Sequence, residues 1–261
     1  MIEPFSSNGV PLPHRMERFY YLGLDVLSIA FPLIASFEPR LRFWKNWPGL
    51  FTGIAVMALV FLVWDAIFTA HGVWSFNPRY IIGVYLFGLP VEEWLFFIAI
   101  PYSCTFLYEV MRHFVRNDVL GRAAGAISIA IIGVLTVVGL LNLDKWYTTV
   151  TFFSTASFLA LHVFVLKSAY LGRFYVGYAI SLVPFFLING ILTGWLLPEP
   201  IVLYNNAENL GIRLNTIPIE DSVYLLFFLL LTITFYERPL KRQHGGELTS
   251  AERRTDPLQA R

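Results

Sequence analysis

Apolar residues run along this chain in long blocks separated by short polar turns, rather than in the broken stripes of a soluble helix. Seven such blocks, centred in 19–37, 49–70, 81–108, 123–141, 147–167, 174–197 and 216–236, each approach the roughly 20 residues that a helix needs to cross a bilayer. The fold class expected is therefore all-α: a polytopic membrane helical bundle of about seven transmembrane helices, forming one membrane domain over 1–238. The first block carries Asp25 and Pro32 and no small-residue cleavage site, so it reads as a retained helix. Beyond Arg238 the apolar pattern stops, and 239–261 is expected to be a disordered tail.

Composition agrees with that pattern. The chain is 56% hydrophobic and 14% charged, against about 25% charged residues in soluble domains. A net charge of +1 gives no electrostatic reason to expect a nucleic-acid partner. A single cysteine, Cys104, excludes a disulfide framework, and the histidines lack ligand spacing, so no metal site is expected. Nor does a Gly-x-Gly-x-x-Gly follow a strand, so no nucleotide cofactor is expected. Placing Lys and Arg on alternate sides of the spans puts Arg15, Arg18, Arg79, Lys145 and Arg213 with the N-terminus and the remaining basic residues opposite. The N-terminus is then outside and the C-terminus cytoplasmic.

Shifting the chain by 128 residues aligns Phe76-Asn77 with Tyr204-Asn205, Gly83 with Gly211, Pro90-Val91-Glu92-Glu93 with Pro218-Ile219-Glu220-Asp221, and Tyr108-Glu109 with Tyr236-Glu237. Matching polar and turn residues without a gap indicates an internal duplication. With a gap of four, Asp65 falls on Asn189. Repeat one covers about 19–110, a connector helix about 123–141, and repeat two about 147–238. The third and seventh spans run the same way, so the repeats are parallel about an axis near the membrane normal, and both acidic pairs lie on one side. Each pair stands 17 residues before Glu109 or Glu237, roughly 25 Å of helix. If those two glutamates mark the far interface, the pairs lie near the outer edge of the hydrocarbon, and 80–89 is a surplus, interfacial or re-entrant lead-in.

Glu92, Glu93, Glu220 and Asp221 follow prolines that suit a first helical turn, where acids also serve as simple caps. Two matched acidic pairs at membrane depth nevertheless point to function, because buried charge in a bilayer is costly. Crowded, desolvated carboxyls can hold a proton, and aromatic faces can stabilise a cation formed by delivering it. Trp64, Trp94, Phe96 and Tyr224 are the candidate aromatic groups. Asp65 and Asn189 are candidates to orient the acids, and Asn77 and Asn205, in turn-like segments, either support the site or mark loop structure. Adjacent helical residues point about 100° apart, so Glu92 and Glu93 cannot both face one point. The identical pair Glu92 and Glu220 is expected to be the acids, with Glu93 and Asp221 as partners or proton acceptors.

The segments Val63-Trp64-Asp65, Phe76-Asn77-Pro78-Arg79-Tyr80, Pro90-Val91-Glu92-Glu93-Trp94-Leu95-Phe96-Phe97 and Pro101-Tyr102 closely resemble the lycopene cyclase domain family, an integral-membrane class. The resemblance extends to about Glu237. The second half departs from the first at Asp221 and Asn189. What the resemblance implies is a lycopene β-cyclase of carotenoid biosynthesis in a bacterial cytoplasmic membrane, an isomerase that converts the ψ ends of lycopene to β rings through γ-carotene without flavin. Its partners would be C40 carotenoids and membrane lipid. Protonation of the terminal alkene, attack by the neighbouring alkene and loss of a ring proton would carry the reaction. A carotenoid hydratase or a cyclase of other ring type would share its first step. A membrane carrier is the non-enzyme alternative, since transporters also use parallel repeats. The seventh span has no lysine for a retinal Schiff base, and no Asp-rich diphosphate motif is present. Oligomeric state leaves no mark in the sequence.

Overall fold

Where the apolar blocks are uninterrupted, a backbone without access to water can satisfy its N–H and C=O groups only within a helix. The computed structural model describes residues 16–115 and 117–254, with side chains through Arg238. It contains α1 (Tyr20–Ala35), α2 (Trp47–Ala70, entered through a 3-10 turn, Phe43–Asn46), α3 (Val91–Phe114), α4 (Ala124–Leu140), α5 (Trp146–Ala160, continued by a π turn, Leu161–Val165), α6 (Leu171–Leu192) and α7 (Glu220–Arg254). Four segments, Phe43–Ala70, Val91–Phe114, Trp146–Val165 and Leu171–Leu192, are long and apolar enough to cross a membrane; α1 and α4 are shorter apolar helices. The bundle is thus an all-α membrane fold with a helix in each expected block. α7 runs on through Arg254, into the stretch expected from the sequence to be a disordered tail, and residues 255–261 lie outside the described residues.

Short strands occupy the turns: β1 (Trp74–Phe76), β2 (Tyr85–Leu86), β3 (Leu89–Pro90), β4 (Val202–Tyr204), β5 (Arg213–Leu214) and β6 (Ile217–Pro218). The surplus lead-in to the third block folds as the β2–β3 hairpin, and the matched segment of the second half folds as β5–β6, both antiparallel. Gly83 and Gly211 sit at φ 89 and φ 70, in the left-handed region that glycine enters without steric cost. Each turns its chain so that the helix after the hairpin is tied back on itself. Val91 N donates to Val84 O at 2.9 Å, and Ile219 N donates to Ile212 O at 2.9 Å.

The packing repeats as the sequence does. α1 lies on α3 as α5 lies on α7, and α2 crosses to α7 as α6 crosses to α3, while α4 rests mainly on α5. β1 pairs antiparallel with β4 across the two halves, Trp74 opposite Tyr204. Flanking that pair, Asn77 N donates to Ile201 O at 2.8 Å and Asn205 N to Val73 O at 2.9 Å, two symmetric ties. At the centre, α2 and α7 approach so closely that a Cβ on Gly53 would overlap the Thr232 carbonyl, the small-residue contact on which bilayer helix pairs depend.

At the other end of α3 and α7 the straps are again reciprocal. Tyr236 OH donates to Glu109 Oε2 at 2.6 Å, and Tyr108 OH to Glu237 Oε1 at 2.7 Å. Arg112 bridges both carboxylates, at 2.9 Å to Glu109 and 3.3 Å to Glu237. Removing it leaves two nearly buried like charges with one phenol each. Arg112→Ala should therefore lower stability by about 2–3 kcal/mol, the usual cost of deleting a charged hydrogen-bond partner. Thermal unfolding in detergent measures this, and an unchanged midpoint would show the strap to be ornamental.

Candidate active site

The two acids of each pair part company at the first turn of their helix. Glu92 and Glu220 are fully buried and turn back toward the hairpins, where Glu92 Oε1 accepts from Ile82 N at 2.6 Å and Glu220 Oε1 from Leu210 N at 2.7 Å. Thr148 Oγ1 adds a second donor to Glu220 at 2.7 Å. Glu93 and Asp221, one residue on, point instead into a cavity between the repeats, which they line together with Asp65, Asn189, Phe96 and Tyr224. That divergence is the helical 100° step at work.

Three carboxyls therefore meet at one cavity, and their partners differ. Asp65 Oδ1 accepts from Trp74 Nε1 at 2.5 Å and, at 3.4 Å, from Thr69 Oγ1. The Asp65 and Glu93 carboxyls lie within hydrogen-bonding reach of each other. Carboxylates only accept, so two carboxyls bond to each other only when a proton sits on one of them. Tyr21 OH donates to Glu93 Oε2 from α1. Across the cavity Asp221 collects three donors: Tyr147 OH on Oδ1, and Asn189 Nδ2 at 2.6 Å and Tyr204 OH at 3.1 Å on Oδ2. Burial and the adjacent Asp221 carboxyl push the Tyr204 hydroxyl well above its ordinary range, so it stays a donor. One wall thus sets two acids side by side, and the other presents a carboxyl approached by three donors.

Aromatic rings enclose the space between. Tyr147 stacks on Tyr204 with centroids 5.8 Å apart, and Trp74 stands edge-on to both at 5.3 and 5.9 Å. Tyr224 and Phe228 stack at 6.4 Å on the α7 side. Of the aromatic groups expected from sequence, Phe96 and Tyr224 line the cavity. Trp64 lies one layer behind, 5.6 Å from Tyr224. Trp94 packs on Phe87 of the hairpin turn and donates to Leu86 O at 3.3 Å, away from the cavity. Asn77 and Asn205 sit outside it as well, tying loops: Asn77 Nδ2 reaches Glu199 at 3.1 Å, and Asn205 Nδ2 reaches Gly72 O at 3.3 Å. Asp65 and Asn189 do reach the acids, each from its own repeat.

The sequence does not single out Tyr21 or Tyr147, and Tyr204 enters only as the repeat counterpart of Phe76. An offset of 126 superposes Tyr21 on Tyr147, two residues short of the main repeat, and that near-match was the available signal. Asp25, 3% exposed on α1, reads in the sequence only as an interruption of its span; it lies near Glu92. Among the described residues no three His, Cys, Asp or Glu side chains gather as a metal-holding group.

The chain matches the family described as lycopene cyclase over residues 18–111 and 144–238, one segment in each half. Curated relatives are similar over shorter stretches, and each is described as a bifunctional lycopene cyclase/phytoene synthase. The Neurospora crassa protein is 43% identical over 47 residues, 18% of this chain and 8% of its own length. That of Podospora anserina is 36% identical over 58 residues, 22% of this chain and 10% of its own length. That of Aspergillus oryzae is 28% identical over 66 residues, 25% and 11% respectively. The matched stretches thus span about a tenth of those relatives. No solved structure matches the chain.

Proposed function

The chain belongs to the lycopene cyclase family, and from that premise we propose that it converts the ψ ends of lycopene into β rings by acid-initiated, redox-neutral cyclisation in a membrane. The observation that carries this reading is the meeting of Asp65, Glu93 and Asp221 at one cavity walled by aromatic rings of both repeats. Glu93, sharing a proton with Asp65, delivers it to the terminal alkene of the substrate. The tertiary cation that results is attacked by the neighbouring internal alkene, which closes the six-membered ring and moves the positive charge onto the adjacent ring carbon. Loss of a ring proton to Asp221 completes the β ring. No electron is gained or lost, and the proton delivered equals the proton removed. Facing π systems stabilise such a cation by about 2 kcal/mol or more where water is excluded. Glu92 and Glu220 serve as anchors that hold the hairpins and so aim their neighbours.

Expression in a lycopene-producing bacterial host, followed by pigment chromatography, tests the reading directly: β-carotene should replace lycopene. Unchanged lycopene alongside well-expressed protein would refute it.

The charge asymmetry supports an outside N-terminus and a cytoplasmic C-terminus, with both acidic pairs on the outer side. Reporter fusions near positions 145 and 245 should accordingly report opposite compartments. A shared compartment would refute this topology.

A further inference from the structure

The acid-lined cavity encloses only about 50 Å³, space for a few water molecules at most and well below the roughly 150 Å³ that admits a benzene ring. A ten-carbon chain end cannot close a ring there until the wall moves. A second, much larger apolar cavity of about 830 Å³, open along the side of the bundle where Phe31 and Val183 are exposed, lies between α1, α3 and α6, and Phe185 lines both spaces. We infer that the larger cavity is the berth for the polyene chain of the substrate, and that Phe185 is the gate through which the chain end passes to the acids. This rests on the reading of the protein as a carotenoid cyclase.

The placement of α6 residues supports it. Phe185, Asn189 and Leu192 line the acid cavity at helical spacing, while Ala179, Val183 and Ile188 line the larger one, so one helix forms the partition. Phe185 is 6% exposed, and Pro184 beside it lies inside the helix. Proline has no N–H to donate to the preceding turn, which softens the partition at the gate.

The chemistry of the larger cavity selects a hydrocarbon. Its polar groups are already engaged: Ser28 Oγ donates to Leu24 O at 2.7 Å, Ser103 Oγ to Ala99 O at 2.8 Å, and Tyr175 OH pairs with Ser128 Oγ at 2.6 Å. Among the described residues no lysine or arginine lines it, so a phospholipid head group would find no charged partner there, whereas a polyene needs none. A C40 chain is far longer than the acid cavity, and its remaining length must lie against apolar surface continuous with the site.

The test uses purified full-length protein in phosphatidylcholine nanodiscs with lycopene as the probe, reading turnover against concentration and pigment retained after washing. Ala179→Trp and Val183→Trp fill the berth from exposed positions where folding is not at stake. Each should raise KM for lycopene about tenfold with kcat within about twofold, as loss of uniform binding does. Phe185→Trp should retain pigment as wild type does, yet lower kcat at least about tenfold. Wild-type kinetics in both berth variants would overturn the inference, as would wild-type turnover in Phe185→Trp. If the berth variants displaced phosphatidylcholine but left lycopene kinetics unchanged, the cavity would be a lipid site and the inference would fall. A wild type that retains lycopene without cyclising it would instead count against the cyclase reading, while pigment retention in the Trp variants would still test the berth.

Discussion

Glu93→Gln is expected to lower ring closure by about 10² to 10⁴, the usual contribution of a positioned general acid, while the protein continues to fold. Glutamine keeps the volume of Glu93 and an oxygen for the Tyr21 hydroxyl, but it cannot pass a proton from the pair it forms with Asp65. Because Asp65 and Glu93 come from one repeat and Asp221 from the other, the cavity is composite, and a single substitution should arrest both ring closures. Lycopene, rather than the one-ring product, should then accumulate. Glu92→Gln provides the contrast: its amide oxygen can still accept from Ile82 N, so activity should remain within about tenfold of wild type. Initial rates on purified variants of matched thermal stability separate these outcomes. Full activity in Glu93→Gln, or inactivity confined to Glu92→Gln, would return the proton to the other acid of the pair.

Asp221→Asn should have an effect of comparable size and a different signature. The three donors around Asp221 are arranged for an acceptor, and an amide presents N–H groups to at least one of them. With the base gone but the acid intact, the cation still forms and must end otherwise. Total turnover should fall by about 10² or more, and the residual product should be enriched in rings deprotonated at another carbon or in water adducts. Chromatography and mass spectrometry of the pigments check this. A reduced rate with pure β-ring product would assign the deprotonation to another group.

What the sequence by itself determined is the part of the protein governed by local rules. Apolar blocks of bilayer length specify helices because an unpaired backbone is intolerable in lipid, and all seven blocks hold one. The matched prolines, glycines and acids at a spacing of 128 announced two equivalent halves, and the structure answers with paired hairpins and the reciprocal ties of Asn77 and Asn205. The acids were legible as a group, and so were Asp65 and Asn189. Which acid faces the cavity was not legible. Identity between Glu92 and Glu220 reads the same whichever way the two carboxyls point, and only the path of the chain ten residues upstream, where Ile82 and Leu210 present their N–H groups, turns them away from the cavity. Likewise Tyr21, Tyr147 and Tyr204 lie 72, 74 and 17 residues from the carboxyls they serve, and Phe185 reaches the site from a helix whose acidic counterpart position is an asparagine. Helical period places a residue on a face; which neighbouring face it meets depends on how α1, α5 and α6 cross α3 and α7, and that is settled by close packing between elements distant in sequence.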